Sequence, residues 1–298
     1  MNLMEQTRRR WIFLSLGAAD WARAQQKGAP GQVAMTTTTF TAWFEQTRPK
    51  GSTPARSLTL LEVPDYFASR FRCHNLEFWN KHFESQAPSY LADLKRKVQA
   101  AKSTLINIQI DAAYNLSDED EAARRKSIDL IKSWIDTAAA LGSKSLRANA
   151  GTGTVERCIE SYRELKTYAA AKNVLLLTEN HGGLSLNIDN LLRILNEVGK
   201  DNFQSIVDFG NFTGDRRYED MKRILPFSRH LISAKATEIR EDGTHPEFDF
   251  DRCMRIARES GFSGYYSAEY WAPKSKRTDY ENIADWMLQH IRASLAEG

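Results

Sequence analysis

Eight short β-rich runs recur along this 298-residue chain, each followed by a stretch of helical period, at intervals of about 30 residues. They are "TTTTFTAWF" (36–44), "CHNLEFW" (73–79), "TLINIQID" (104–111), "SKSLRANA" (143–150), "NVLLLTE" (173–179), "QSIVDF" (204–209), "HLISAKA" (230–236) and "GYYSAEY" (264–270). The intervening segments have one apolar face. A helix is expected around 62–71, and "SIDLIKSWIDTAAALG" carries Ile128, Ile131, Ile135 and Ala138 on one side before stopping at Gly142. The acidic cluster in "NLSDEDEAARRK" suits a helix N-terminus behind a serine cap, where carboxylates meet the positive end of the helix dipole. This beat predicts an α/β protein built as a single (β/α)8 barrel over residues 36–298. A doubly wound open sheet is the fallback, but the glycine-rich loop "AGTGT" (150–154) has neither GxGxxG spacing nor a Walker lysine. It reads as a tight turn after the fourth strand.

Composition limits the partners. The 41 basic and 38 acidic side chains leave a net charge of +3, too balanced for a nucleic-acid footprint, so no nucleic-acid partner is expected. No apolar run reaches the roughly 18 residues of a membrane span. Cys73, Cys158 and Cys253 are too widely spaced for a zinc ribbon or a disulfide framework and read as buried thiols. The N-terminus differs from the rest. Arg8, Arg9 and Arg10 precede a short apolar stretch, Trp11 to Ala19, and then Ala22-Arg23-Ala24, the pattern of a twin-arginine export signal. Residues 1–35 are accordingly read as signal and linker. The location is periplasmic if the signal works and cytoplasmic if it does not.

In a barrel of this kind, chemistry sits at the C-terminal ends of the strands. "VLLLTENHGG" ends the fifth run with Glu179, Asn180 and His181. "VDFGN" ends the sixth with Asp208 and Asn211, and the eighth closes on Glu269. Two carboxylates about 4 Å apart repel by roughly 4 kcal/mol at an effective dielectric near 20. Three in register therefore need a cation or a shared proton to persist near neutral pH. A hard divalent ion on oxygen ligands is the simplest expectation, with helix capping or pairing to Lys235 or Arg147 as the alternative.

Five strand ends, "HNLEFWNKHFES", "LLLTENHGG", "IVDFGN", "LISAKATE" and "FSGYYSAEYW", resemble the xylose isomerase-like sugar phosphate isomerase/epimerase superfamily, with similarity from about residue 55 to 295. The resemblance implies a divalent metal, Mn, Mg or Co with Zn as the further candidate. Glu, Asp, His and Glu on strands five to eight would hold it. By position these become Glu179, Asp208, the strand-seven site and Glu269. The family's histidine precedes a lysine by two residues; here Lys235 is present and Ser233 stands at the histidine position. His181, two residues beyond Glu179, is the substitute ligand considered, and His245 a weaker one.

The resemblance also assigns Glu179 and Glu269 as the pair exchanging protons next to a carbonyl. Lys235, Arg147, Asn180 and His82 are the candidate substrate contacts, with Glu77 beside His82 after strand two and Trp43 and Trp271 as stacking surfaces. The implied function is a metal-dependent isomerase or epimerase acting on a small carbohydrate, with a lyase on oxidised glycosides as the close variant. A non-catalytic sugar-binding or partner subunit is the alternative raised by Ser233, and assembly into a homo-oligomer stays open. An abasic-site nuclease on the same barrel would need more strand-end histidines than six in the whole chain supply.

Overall fold

A computed structural model describes residues 32–272 and 277–297, so the expected export segment lies outside the described residues. Eight parallel strands close into a barrel in chain order. They are β1 (Val33–Thr36), β2 (Asn75–Trp79), β3 (Thr104–Ile110), β4 (Ser145–Ala148), β5 (Leu175–Glu179), β6 (Phe203–Asp208), β7 (Leu231–Ala236) and β8 (Tyr265–Tyr270). The helices around them are α1 (Val63–Phe71), α2 (Pro88–Ala100), α3 (Glu121–Leu141), α4 (Val155–Ala171), α5 (Ile188–Val198), α6 (Arg217–Ile224), α7 (Phe250–Glu259) and α8 (Tyr280–Ala296). The single-barrel expectation holds. No helix among the described residues is long and apolar enough to cross a membrane.

Local chemistry sets the element ends. The α3 helix is capped by Asp120, whose carboxylate accepts from the Ala123 N–H at 3.0 Å, so the expected serine cap is replaced by an aspartate three residues on. It stops at Gly142, where φ is +75°. Gly153 lies against the Ser117 backbone so closely that a Cβ would sit 1.7 Å from its carbonyl oxygen, which explains glycine in the 150–154 turn. The expected first strand starts three residues early, at Val33, and the threonine run is mostly not strand. Thr36 Oγ1 accepts from the Thr38 N–H at 3.3 Å and starts a 3-10 segment over Thr37–Trp43. Four consecutive β-branched residues suggest a strand, but the hydroxyl offers the backbone a turn instead.

Side-chain alternation divides the sheet. Outward residues such as Met35, Leu76, Ile108, Leu146, Leu176, Val207, Ile232 and Ala268 join the large core beneath the helices. A separate cluster, Ala34, Ile106, Leu177, Ile206 and Leu231, fills the lower barrel interior. Two residues further along four of those strands stand Thr36, Glu179, Asp208 and Ser233, all buried. Between β2 and β3 the register slips by one residue at Leu76/Glu77, bringing Glu77 opposite Asn107. The upper barrel is therefore a polar layer set on an apolar floor.

Candidate active site

Glu179 is the last residue of β5 and is 3% exposed. The Arg147 side chain, rising from the neighbouring β4, places Nε 3.1 Å from Glu179 Oε2 and Nη1 2.9 Å from Asp111 Oδ1. The Nε–H does not aim at the Glu179 oxygen, so that contact is an ion pair without hydrogen-bond geometry. Asp111, just beyond β3, also accepts from Trp79 Nε1 at 2.7 Å and Asn149 Nδ2 at 3.2 Å. Although burial opposes ionisation, Arg147 draws the Asp111 carboxyl down to about 2. Burial raises Glu179 instead, with Arg147 pulling the other way.

On the opposite side of the rim, Lys235 of β7 stands between the acids of its two neighbouring strands. Its Nζ lies 3.1 Å from Asp208 Oδ2 and 3.4 Å from Glu269 Oε1, and donates to Asn211 Oδ1 at 3.0 Å. Asn211 in turn donates to Glu179 Oε1 at 3.1 Å, so one amide and one ammonium join the two glutamates. Glu269 Oε2 accepts from Ser233 Oγ at 3.1 Å and Gln109 Nε2 at 3.2 Å. Asp208 Oδ1 accepts the backbone N–H groups of Gly210 at 2.8 Å and Asn211 at 3.1 Å. Burial holds Asp208 well above the usual carboxylate range; Lys235 opposes this, and the charges of Glu179 and Glu269 add to it. Asp208 is wholly buried, whereas Glu269 retains 7% exposure. Of these three acids only the two glutamates keep any exposure.

A further acid stands level with Thr36 in the ladder. Glu77 of β2 is fully buried, and its Oε1 accepts from Asn107 Nδ2 at 2.7 Å. Its Oε2 meets no hydrogen-bond partner. Burial raises its carboxyl, and the charge of Glu269 adds to the rise. Sequence reasoning overlooked Asp111, Gln109 and Asn107, although their signal was present. Asn107 and Gln109 in β3 and Asp111 just beyond it repeat at period two, the spacing that points alternate residues into a barrel.

Several expected substrate contacts prove to be engaged within the chain. His82 is buried, stacks on Phe44 with ring centroids 3.7 Å apart, and has Thr37 and Thr47 hydroxyls on its two nitrogens at 2.9 and 3.0 Å. Burial lowers its pKa to about 3, so it is a neutral packing residue with no polar atom left for a sugar. The Asn180 amide clasps the Asp208 backbone in both directions, at 2.8 and 3.0 Å, which fixes β5 to β6. His181 faces the Arg147 side, with Nδ1 3.3 Å from Asn149 Nδ2, and burial followed by Arg147 lowers its pKa. His245 Nε2 accepts from the Thr237 N–H at 3.1 Å and braces the loop after β7. Trp43 belongs to the core, whereas Trp271 is 40% exposed and lies 6.0 Å from Trp79, edge to face.

The donor set tests the expected divalent ion. Among the described residues no three His, Cys, Asp or Glu side chains gather to hold a metal ion. The six oxygens of Glu179, Asp208 and Glu269 already face cations, N–H groups or a hydroxyl of the protein. A doubly charged ion about 4 Å from the Lys235 ammonium would meet repulsion of roughly 8 kcal/mol at an effective dielectric near 20. Ser233 adds a hydroxyl where the family pattern has an imidazole, and His181 is turned toward Asn149. The residues present do not fit the ion, because Ser233 replaces the imidazole ligand, His181 is turned away, and each carboxylate oxygen already faces a donor or cation of the protein.

Two of the cavities measure about 300 Å³ each. One is lined by Lys81, Asp111, Tyr114 and Asn149, the other by Thr38, Tyr270, Trp271 and Tyr280. A larger cavity, about 640 Å³ beside Arg240 and Trp286, includes none of the buried carboxylates. The carboxylates, not cavity size, identify the site.

Comparison with known proteins agrees with this architecture. An allulose 3-epimerase from Methylomonas sp. superposes with a TM-score of 0.67 at 14% identity, over 88% of this chain and 97% of that one. A 3-keto-D-glucoside 4-epimerase from E. coli superposes at 0.64 and 15% identity, over 86% and 98%. A psicose 3-epimerase from Clostridium cellulolyticum, solved with D-tagatose, gives 0.62 at 14%, over 89% and 96%. At such identities the likeness establishes the fold alone. No curated protein sequence matches the chain. The sequence pattern of the xylose isomerase-like TIM barrels matches residues 69–292, most of the length, and the chain belongs to that family.

Proposed function

We propose that this protein catalyses proton transfer at the carbon next to a carbonyl of a sugar or sugar derivative, as an epimerase or isomerase. The carrying observation is the pair Glu179 and Glu269, two barely exposed carboxylates on β5 and β8 linked across the rim through Asn211 and Lys235. One removes the proton and the other returns it to the opposite face. Burial raises the Glu179 carboxyl, the direction that suits a proton donor near neutral pH. Structural neighbours described as allulose, psicose and keto-glucoside epimerases support a carbohydrate substrate. Arg147 and Lys235 hold the acids, and the exposed Trp271 offers a face for a sugar ring. The divalent ion expected from the sequence is not part of this reading, since the donor set does not fit it.

Incubation of the protein with ketohexoses and 3-keto-glycosides, followed by NMR, tests the reading. Appearance of an epimer supports it, and an unsaturated product from one of the glycosides marks the lyase variant instead. Binding of a sugar without any turnover contradicts it and indicates a binding subunit on the same barrel.

A further inference from the structure

We propose that the Lys235 ammonium takes the place of a divalent cation at the rim, so that proton transfer in this chain needs no metal ion; the inference rests on the proton-transfer reading above. Lys235 sits between Asp208 of β6 and Glu269 of β8; its ammonium donates to Asp208 and Asn211 and forms an ion pair with Glu269. Ser233, opposite Asp208 and Ser267 in the ladder, donates its hydroxyl proton to Glu269. A metal ligand in that position would have to present a lone pair inward. Arg147 covers the remaining acid, Glu179. Each oxygen of the three carboxylates thus already faces a donor or a cation of the protein.

The arrangement also supplies the chemistry. The Glu269 contact is the longest of the three around Lys235, at 3.4 Å. When the Glu269 carboxylate takes the substrate proton, the electrons of the broken C–H bond pass to the carbonyl oxygen as an enolate. Glu269 becomes neutral, its hold on Lys235 weakens, and the freed N–H turns to the enolate oxygen as a charge-assisted donor. The proton then returns to carbon from Glu179, with no net change in charge or oxidation state.

The test uses the whole protein dialysed against EDTA and titrated with Mn²⁺, followed by electron paramagnetic resonance. The expected result is no stoichiometric Mn²⁺ on the wild type, and an acquired site in the Ser233→His/Lys235→Met double variant that disappears when Asp208→Asn is added. One tightly held Mn²⁺ per wild-type chain, lost in Asp208→Asn, overturns the proposal. Should the double variant fail to fold by circular dichroism, the wild-type titration decides alone. A second arm follows deuterium wash-in to ketohexoses in D₂O. EDTA-treated protein is expected to exchange within about twofold of untreated protein, and exchange that appears only after Mn²⁺ is added overturns the proposal. Absence of exchange with and without Mn²⁺ overturns the proton-transfer reading itself, a result distinct from any Mn²⁺ binding.

Discussion

The two halves of the rim hold their acids in different ways. On the β3–β5 side the planar Arg147 guanidinium spans Asp111 and Glu179, and Asp111 stays ionised down to about 2. On the β6–β8 side a compact ammonium serves Asp208 and Glu269, and the wholly buried Asp208 is pushed up instead. Guanidinium forks fix geometry, whereas an ammonium on a four-carbon stem can redirect a proton at little cost. The difference sets a planar, two-acid clamp on one side against a single ammonium shared by two acids and an amide on the other.

The largest stability effect should come from breaking the guanidinium side. Arg147→Met leaves Asp111 and Glu179 without their cation in a buried setting and should cost about 3–5 kcal/mol, read from urea unfolding. Lys235→Met should cost less, because Asp208 is already disposed to take up a proton. Equal losses would erase the contrast between the halves.

The pH dependence of the Asp111 pair comes next. Its folded pKa is depressed, so its stabilisation is present above the unfolded value of about 4 and is lost as pH falls through about 2. Asp111→Asn should remove roughly 2 kcal/mol at pH 7 and flatten that acid limb. An unchanged limb would show that Arg147 does not set the Asp111 pKa. Asp208, shifted upward, carries the opposite sign, contributing below its unfolded pKa and losing that contribution as pH rises through the folded one.

Smaller effects sharpen the picture. Asn180→Ala leaves the backbone N–H and carbonyl of Asp208 without their partner and should cost about 1–3 kcal/mol, visible in the thermal midpoint. Trp271→Ala removes an exposed ring and should change stability by less than about 0.5 kcal/mol while raising the KM for a sugar. A large loss of stability there would place Trp271 in the fold instead of the binding surface.

Much of this was legible in the sequence, and the parts that were not have a common cause. The beat of strand and helix located seven of the eight strands closely and brought Glu179, Asp208, Lys235 and Glu269 to one rim, since strand-end position follows from local pattern. Pairing was legible only in part: Lys235 and Arg147 stood as alternative partners of the rim acids, but that Arg147 also meets Asp111 depends on barrel shear and side-chain reach, which no single strand encodes. The partners of His82 and Asn180 were hidden for the same reason. Each is polar and near the rim, but Thr37, Thr47 and the Asp208 backbone satisfy them first. The β1 boundary slipped because a run of threonines carries strand propensity and turn chemistry together.

Glu179 and Glu269 acting on opposite faces of one carbon is the central claim, and deuterium exchange in single-residue variants tests it most directly. For a pair of epimers that the wild type interconverts in D₂O, Glu269→Gln should exchange the proton of one epimer only and Glu179→Gln that of the other. Interconversion should fall by roughly 10²- to 10⁴-fold in both. Interconversion at the wild-type rate in either variant would contradict the account and place the acid or base on another residue.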